Sequence, residues 1–277
     1  MTFQLGNSGI AMSQFEDNSI IHRTYGTCLA AWHRTFRPPR ADANQHLVPR
    51  QIEFWVLLLL VGSTIAWLFI LHDAELVRWK RLVLKRDSPV VELFEWITLS
   101  GSSGWILVIT ALTGLFLSTS NWSQLSRSVR VQRTNLYGDV NFIFFTVAIS
   151  GISANLIKNT IGRARPRLLE ELGPHYFNHA AFDSKFASFP SGHSTTSGAL
   201  FMALILLFPR HWPIWLIFGL AGGASRYVIG AHYPSDVLAG LSFGALFVIF
   251  AARWLAQRGT LFKLDQGWLP RRKYRRA

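Results

Sequence analysis

The sequence has little of what soluble, disulfide-linked or metal-bound domains are built from. It contains one cysteine, Cys28, among 277 residues, which excludes an internal disulfide and any site made of several cysteines. Charged residues make up only 16% of the chain, against about 25% in typical soluble proteins. Half of the residues are hydrophobic, and they form long runs rather than alternating with polar residues. We therefore predict one helical membrane domain.

Acidic residues are also scarce, 15 against 28 Lys and Arg, so the formal net charge is +13. A chain this basic raises nucleic acid as a partner. Its basic residues do not interleave with aromatic ones along one segment, however, and many flank the hydrophobic runs, so we expect no nucleic acid. A basic C-terminal run suits either a tail on anionic lipid headgroups or a solvated tail that only fixes topology. Its members are Arg271, Arg272, Lys273, Arg275 and Arg276.

Residues 1–50 are polar and lack the apolar core and small-residue cleavage site of a signal peptide. We expect this segment to be loosely ordered and cytoplasmic, and we assign it no function. The expected catalytic domain covers 51–256. A basic cytoplasmic tail is expected to cover 257–277.

Six apolar runs predict an all-α, polytopic membrane protein with six transmembrane helices in a bundle. About 20 helical residues cross the roughly 30 Å of hydrocarbon in a bilayer. The runs are 54–71, 97–117, 140–157, 195–208, 212–224 and 237–252. The last three are short, and they reach full length only if His193, Arg226 and Asp236 at their ends lie inside the protein. Ionisable groups at such depth are expensive and usually functional.

Lys and Arg are unevenly distributed over the loops that these six spans define. With both termini in the cytoplasm, 17 of them fall inside and 11 outside. Cytoplasmic loops carry an excess of Lys and Arg, so we expect both termini to be cytoplasmic. We also expect an inner (plasma) membrane location, with the site described next on its periplasmic, extracytoplasmic face.

Three polar segments lie on that outer side of the predicted topology. They read KNTIGRARP at 158–166, FPSGH at 189–193 and SRYVIGAHYPSD at 225–236. Pro190 suits the first turn of a helix, where the residues after it would offer unpaired backbone N–H groups to an anion. Those residues are Ser191, Gly192 and His193.

The third segment has a similar arrangement, a proline at a predicted helix start, next to a histidine. Pro234 would start the sixth helix, with Asp236 in its first turn and within reach of one imidazole nitrogen of His232. Three cations could meet the charge of a phosphoryl group: Lys158, Arg165 and Arg226.

The motifs Lys-x6-Arg-Pro, Pro-Ser-Gly-His and Ser-Arg-x5-His-x3-Asp occur in this order from Lys158 to Asp236. Together they resemble the signature of the type 2 phosphatidic acid phosphatase and vanadium haloperoxidase superfamily, whose six-span core would cover roughly 52–254. The basic loop 158–193 and the single-domain form are similar to those of lipid A phosphatases of Gram-negative inner membranes.

The resemblance implies a role for each matched residue. His232 would attack phosphorus to give a phosphohistidine, Asp236 would orient it, and His193 would protonate the departing lipid oxygen. The residues expected to bind the phosphoryl oxygens are Lys158, Arg165, Ser191, Gly192 and Arg226. Neither a metal nor another cofactor is expected.

Other polar residues near the motifs have two interpretations each. Arg163 and Arg167 belong to a solvated loop face or bind a second acidic group of the substrate. His175 and His179 have the spacing of a metal pair, but they lie in a loop, so a metal there is disfavoured. Asp139 begins the third apolar run and is expected to cap its helix.

The leading hypothesis is a metal-independent lipid phosphatase whose partners are the bilayer and a phosphorylated membrane lipid. Its substrate would be lipid A, a polyprenyl diphosphate or a glycerophospholipid phosphate. A lipid phosphotransferase, in which a lipid hydroxyl replaces water, has the same motifs. A catalytically silent membrane scaffold is the third hypothesis, and the intact set of His193, His232 and Asp236 opposes it.

Overall fold

The computed structural model describes residues 20–39, 47–122, 124–265 and 267–274, and most of them are helical. The helices are α1 (Ile20–Phe36), α2 (Ile52–Trp67), α3 (Asp73–Val83), α4 (Pro89–Ser100), α5 (Ser103–Thr119), α6 (Arg127–Ile161), α7 (Leu169–Leu172), α8 (Gly192–Leu207), α9 (Trp212–Val228) and α10 (Pro234–Gln257). A π-helical turn, Leu68–His72, joins α2 to α3. Two short strands, β1 (Phe262–Lys263) and β2 (Arg271–Arg272), pair antiparallel near the C-terminus.

Four helical runs are long and apolar enough to cross a membrane. They are Ile52–Val83, Pro89–Thr119, Arg127–Ile161 and Pro234–Gln257. The stretches Gly192–Leu207 and Pro209–Val228 pass the same test only together, and they are bent by 120° at the break between them. The described residues therefore form a multi-pass membrane protein with four or five spans by length and hydropathy. The predicted count of six is not confirmed, because α8 and α9, with 16 and 17 residues, are each too short to pass the test alone.

Helix α8 lies at the centre of the bundle, packed against α6, α9 and α10. Small residues let it approach α10 closely. A Cβ on Gly244 of α10 would lie 2.1 Å from the Thr195 carbonyl oxygen, and a Cβ on Gly198 of α8 would lie 2.2 Å from that of Leu241. Close backbone packing at small residues is typical of membrane helices. It brings together the N-terminal ends of α8 and α10, which carry the second and third motifs.

The run from α2 to α3 is different, because its apolar side chains face outward. Leu59 and Ile70 are 70% and 61% exposed, as expected of side chains that contact lipid. Two residues of α3 are buried all the same, Asp73 and Val77. The first span therefore enters the protein interior at a few positions near its two ends, at Phe54 of α2 and at Asp73 and Val77 of α3.

The two terminal segments contain more structure than the sequence analysis predicts. Helix α1 lies within 1–50, the segment expected to be loosely ordered. Its exposed Tyr25, Leu29, Trp32 and Phe36 recur at helical spacing. Residues 1–19 and 40–46 of that segment lie outside the described residues.

The C-terminal basic run is not one continuous exposed tail. Arg272 is buried, and its Nε donates to Oδ1 of Asp139, which lies inside α6 rather than at its start. Asp139 is therefore not a helix cap, because α6 begins a dozen residues earlier after Ser126, whose Oγ accepts from the Val129 N–H at 3.5 Å. Arg275 and Arg276 lie outside the described residues.

Candidate active site

Backbone hydrogen bonds join the three motif segments into one site. The Ser188 N–H donates to the Arg163 carbonyl at 3.1 Å, which ties the segment before α8 to the segment after α6. The Ser191 N–H donates to the Asp236 carbonyl, also at 3.1 Å, which ties α8 to α10. The His232 N–H donates to the Arg226 carbonyl at 3.1 Å across the turn after α9. Segments far apart in sequence thus meet at one end of the bundle.

His232 lies at the centre of this site and is 3% exposed. Its Nδ1 is 2.9 Å from the Ser188 carbonyl oxygen and 3.6 Å from Oδ2 of Asp236. A carbonyl oxygen can only accept, so Nδ1 carries the proton and Nε2 keeps its lone pair. From the sequence, Asp236 is expected to orient the ring. In the structure the closer partner is the carbonyl of Ser188, a residue that the motifs do not include.

Asp236 is buried in the first turn of α10, and both of its carboxylate oxygens have donors. Pro234 occupies the start of the helix as predicted, which places Asp236 at the third helical position. Its Oδ2 accepts from the Tyr233 N–H at 3.0 Å and from Oγ of Ser188 at 2.6 Å. Its Oδ1 accepts from Nη1 of Arg163 at 2.6 Å. The carboxylate beside His232 is therefore fully hydrogen bonded.

Arg163 is buried, so both of its predicted roles, on a solvated loop face or at a second acidic group of the substrate, are wrong. Helix α6 ends at Gly162, whose φ of 70° is one that glycine adopts readily, and the chain turns inward there. Arg163 then donates to Asp236, to Ser235 Oγ at 2.8 Å and to Oδ2 of Asp73 at 2.8 Å. Burial of an arginine requires this many partners, and the sequence motif does not show where they come from.

Asp73 is the functional candidate that sequence reasoning missed. It is the first residue of α3 and 1% exposed. Its carboxylate accepts from Arg163 and from both the N–H and the hydroxyl of Ser235. The available signal was its position directly after the apolar run 54–71, where an acid is expensive unless it is paired.

Half-buried cations also lie near His232, and two of them, Arg165 and Arg226, interact with it electrostatically. Lys158 lies on the last turn of α6, with its Nζ 3.9 Å from where a Cβ on Gly192 would be. Arg226 donates from Nη1 to Thr98 Oγ1 of α4 at 2.9 Å. Arg165 donates from Nη2 to the Ala187 carbonyl at 3.4 Å. Among the described residues, no partner accepts from the buried Nε atoms of Arg165 and Arg226.

His193 belongs to the same cationic side. It is half-buried in the first turn of α8 and close enough to interact electrostatically with Arg226, His232, Lys158 and Arg165. The structure therefore brings together all eight residues that the motifs single out.

The start of α8 differs from the prediction in one respect. The helix begins at Gly192, with Ser191 as its N-cap, so Pro190 precedes the helix instead of opening it. The N–H of Ser191 is occupied by Asp236, and its Oγ accepts from the Ser194 N–H at 3.4 Å. Gly192 and His193, as the first two helical residues, are the ones whose N–H groups have no acceptor inside the helix.

Comparison with known proteins decides the family. The lipid A 1-phosphatase of Rhizobium johnstonii is 43% identical over 197 residues, which cover 70% of this chain and 80% of that protein. Residues 139–260 match the family model described as PAP2 superfamily. The chain belongs to the PAP2 superfamily.

Other PAP2 relatives share shorter or more distant similarity. The undecaprenyl-diphosphatase BcrC of Bacillus subtilis is 50% identical over 58 residues, 20% of this chain and 28% of that protein. The solved structure of a PAP2 type phosphatidylglycerolphosphate phosphatase from Bacillus subtilis is 19% identical, with a TM-score of 0.49, over 72% of this chain and 92% of that one. This PAP2 chain is a phosphatase.

Burial sets the protonation state of the PAP2 histidine at the centre of the site. Burial lowers the pKa of His232 below its ordinary value of 6.5, while Asp236 raises it and Arg165 and Arg226 lower it further. Burial likewise lowers the pKa of Arg165, with the charge of Arg167 acting in the same direction. His232 is therefore neutral near pH 7, with a free lone pair on Nε2.

The metal pair considered in the sequence does not form a cluster. His175 Nε2 is 2.7 Å from the Phe69 carbonyl oxygen. Within the part of the chain that the structure describes, no three His, Cys, Asp or Glu side chains lie together as metal ligands would.

Proposed function

We propose that this phosphatase hydrolyses a phosphate monoester or diphosphate of a membrane lipid through a phosphohistidine on His232. The observation that carries the proposal is the buried imidazole, whose Nδ1 donates to the Ser188 carbonyl at 2.9 Å and whose Nε2 keeps its lone pair. Three cations on its other side, Lys158, Arg165 and Arg226, suit the charge of a phosphoryl group.

In the first half-reaction the Nε2 lone pair of His232 forms a bond to phosphorus, and the bond from phosphorus to the lipid oxygen breaks. His193 gives its proton to that leaving oxygen. The phosphoryl oxygens are held by the three cations, by the N–H groups of Gly192 and His193 at the start of α8, and by Ser191. In-line transfer of this kind depends mainly on positioning and electrostatic stabilisation.

In the second half-reaction water attacks phosphorus and gives a proton to His193. The bond between Nε2 and phosphorus breaks, which releases inorganic phosphate and restores neutral His232. Two easier steps thus replace one difficult step. No step in this scheme requires a metal or another cofactor.

We propose lipid A, or another lipid with a phosphorylated sugar headgroup, as the substrate. Support comes from the relatives at 43% and 42% identity, both described as lipid A 1-phosphatases. The local 50% identity to an undecaprenyl-diphosphatase makes a polyprenyl diphosphate the second candidate.

We further propose six membrane crossings, with 51–256 as the catalytic domain. Helices α8 and α9 would each cross separately, with their charged ends inside the protein. The excess of Lys and Arg in the predicted cytoplasmic loops supports cytoplasmic termini and an active site on the periplasmic face of the inner membrane.

The test is a substrate panel with purified chain in detergent and excess EDTA. The panel contains lipid A, undecaprenyl diphosphate, phosphatidic acid and phosphatidylglycerol phosphate, each with and without an acceptor lipid bearing a free hydroxyl. We expect the release of inorganic phosphate to be greatest from lipid A. We also expect His232 to carry an acid-labile phosphoryl group during turnover. Phosphate found on the acceptor instead supports a phosphotransferase, and no turnover on any substrate supports a silent scaffold. Activity that chelation removes and a divalent ion restores contradicts the metal-free scheme.

A further inference from the structure

A buried array of three charges adjoins His232 on the side of its Nδ1, which is 3.6 Å from Oδ2 of Asp236. Arg163 lies between the carboxylates of Asp73 and Asp236, at 2.8 Å and 2.6 Å. All three side chains are fully buried. The guanidinium carbon of Arg163 also lies 4.6 Å from the ring centre of Phe69 and 4.2 Å from that of Tyr233. This packing holds the array in one geometry.

Both carboxylates of the array are hydrogen-bond acceptors only. Asp73 accepts from Arg163, from the Ser235 N–H at 3.0 Å and from the Ser235 hydroxyl. Asp236 accepts from Arg163, from the Ser188 hydroxyl and from the Tyr233 N–H. Each of the four carboxylate oxygens accepts from an N–H group of Arg163, Tyr233 or Ser235, which can only donate, and this pattern fits two ionised groups. Two negative charges and one positive charge leave the array with one excess negative charge.

We propose that Asp73 and Arg163 give the array one excess negative charge that stabilises the positive charge which His232 acquires when it becomes phosphorylated. This inference rests on the proposed function. When Nε2 bonds to phosphorus, Nδ1 keeps its proton, so the imidazole acquires one positive charge. Array and ring together then change from a sum of −1 to a sum of zero. Asp73 and Arg163 are positioning residues, because they act on the reaction through Asp236 and His232.

The effect acts mainly on the transition state. In the resting enzyme the ring is neutral and places no positive charge beside the array. As the bond to phosphorus forms, the ring charge grows next to that excess charge, in surroundings where charges interact more strongly than in water. An interaction that is stronger in the transition state than in the ground state raises kcat rather than lowering KM.

The test compares how tightly two anions bind to the purified full chain in detergent. Orthovanadate can form a five-coordinate adduct with Nε2 of His232, whereas inorganic phosphate binds only to the cations in front of it. In Asp73→Asn the excess charge is gone. Calorimetric titration should therefore give a vanadate Kd higher by about 10–100-fold, the effect typical of a group that orients a ligating residue. The phosphate Kd should stay unchanged or fall.

Asp139→Asn is the matched control. Asp139 is also a largely buried carboxylate paired with an arginine, Arg272, but it lies outside the site. We expect it to lower thermal stability and leave both anion affinities unchanged. Arg163→Lys preserves the charge of the array, and we expect its ratio of vanadate to phosphate affinity to stay near that of the wild type. If Asp73→Asn does not fold, the ratio of vanadate to phosphate affinity in Arg163→Lys tests the inference by itself.

Three outcomes overturn the inference. The first is an unchanged vanadate Kd in Asp73→Asn, and the second is an equal loss of affinity for vanadate and phosphate in that variant. The third is a tenfold or larger fall of the ratio of vanadate to phosphate affinity in Arg163→Lys. An equal loss would mean that Asp73 only supports the fold. Failure of the proposed function looks different, because wild-type chain and His232→Ala would then bind vanadate equally well.

Discussion

Two groups of charged residues near His232 differ in how fully their charges are paired. In the back array of Asp73, Arg163 and Asp236, every charged atom has a partner and is shielded from solvent. In the front group of cations, Arg165 and Arg226 are half-buried and have Nε atoms without an acceptor among the described residues. The cations of the front side thus keep N–H groups with which they could bind an anion, as the proposed function requires. The back side holds His232 in place through Asp236.

The two sides also come from different parts of the chain. The cations in front lie on α6, on the segment after it and on α9. The back array includes Asp73, from a span whose apolar side chains mostly face outward. The comparison therefore predicts that substitutions in front change catalysis with little effect on the fold, and that substitutions behind change both.

The largest effect is expected for a substitution of His232 itself. His232→Ala should abolish turnover while the protein stays folded, because no other group can form the bond to phosphorus. Phosphate release and thermal unfolding in detergent measure the two properties, with the exposed His211→Ala as a control expected to match the wild type. Substantial hydrolysis by pure His232→Ala would remove this residue as the nucleophile.

The next largest effect is expected for His193, on the front side, and it tests this residue as the general acid. General acid catalysis contributes about 10²–10⁴-fold, so His193→Ala should lose that much rate on a lipid alkyl phosphate. Most of the loss should be recovered with a p-nitrophenyl ester, whose leaving group needs no proton, provided that the ester is accepted. An equal loss on both substrates would leave His193 with a phosphate-binding role only.

Two arginine substitutions test the comparison directly. Arg226→Ala should lower kcat by about 10²–10³, as does removal of one transition-state donor, whatever the leaving group is. It should cost about 1 kcal/mol of stability or less, because it breaks one hydrogen bond, to Thr98. Arg163→Met should cost about 3–5 kcal/mol, because it leaves two buried carboxylates unpaired. Equal stability losses for the two variants, measured by thermal unfolding, would contradict the distinction between front and back.

The smallest effect is a shift of the pH profile. Burial lowers the pKa of His232, so kcat/KM should fall only when the pH drops below 6.5, as Nε2 becomes protonated. Arg226 acts in the same direction as burial. Removing its charge in Arg226→Ala favours the protonated ring, so the acid limb should move to higher pH. A shift to lower pH in that variant would show that the limb does not follow His232.

Much of the site could be predicted from the sequence, because its chemistry is local. Pro234, Asp236 and His232 lie within five consecutive residues at the start of one helix, so their closeness follows from their short separation in sequence. The positions of Lys158, Arg165 and Arg226 follow from motif spacing and from a topology that puts three segments on one side. The family could be named from the same residues.

The partners of these residues could not be predicted. Arg163 lies between two motif residues on a basic stretch, and only the turn at Gly162 directs it inward to Asp73, 90 residues away in sequence. Ser188 precedes the second motif, and its carbonyl meets His232 only because the segments after α6 and before α8 are joined by hydrogen bonds. The N–H of Ser191 looked free for an anion until packing of α8 on α10 gave it the Asp236 carbonyl.

The sequence by itself determined that this protein is a helical membrane phosphatase with one histidine-centred set of motifs. Long apolar runs require helices in a bilayer, and residue types at fixed local spacing imply their chemistry. Only the tertiary structure decided which charges are paired. Pairing depends on which side chains from distant segments meet in a space without water, and hydropathy and spacing carry no information about such contacts.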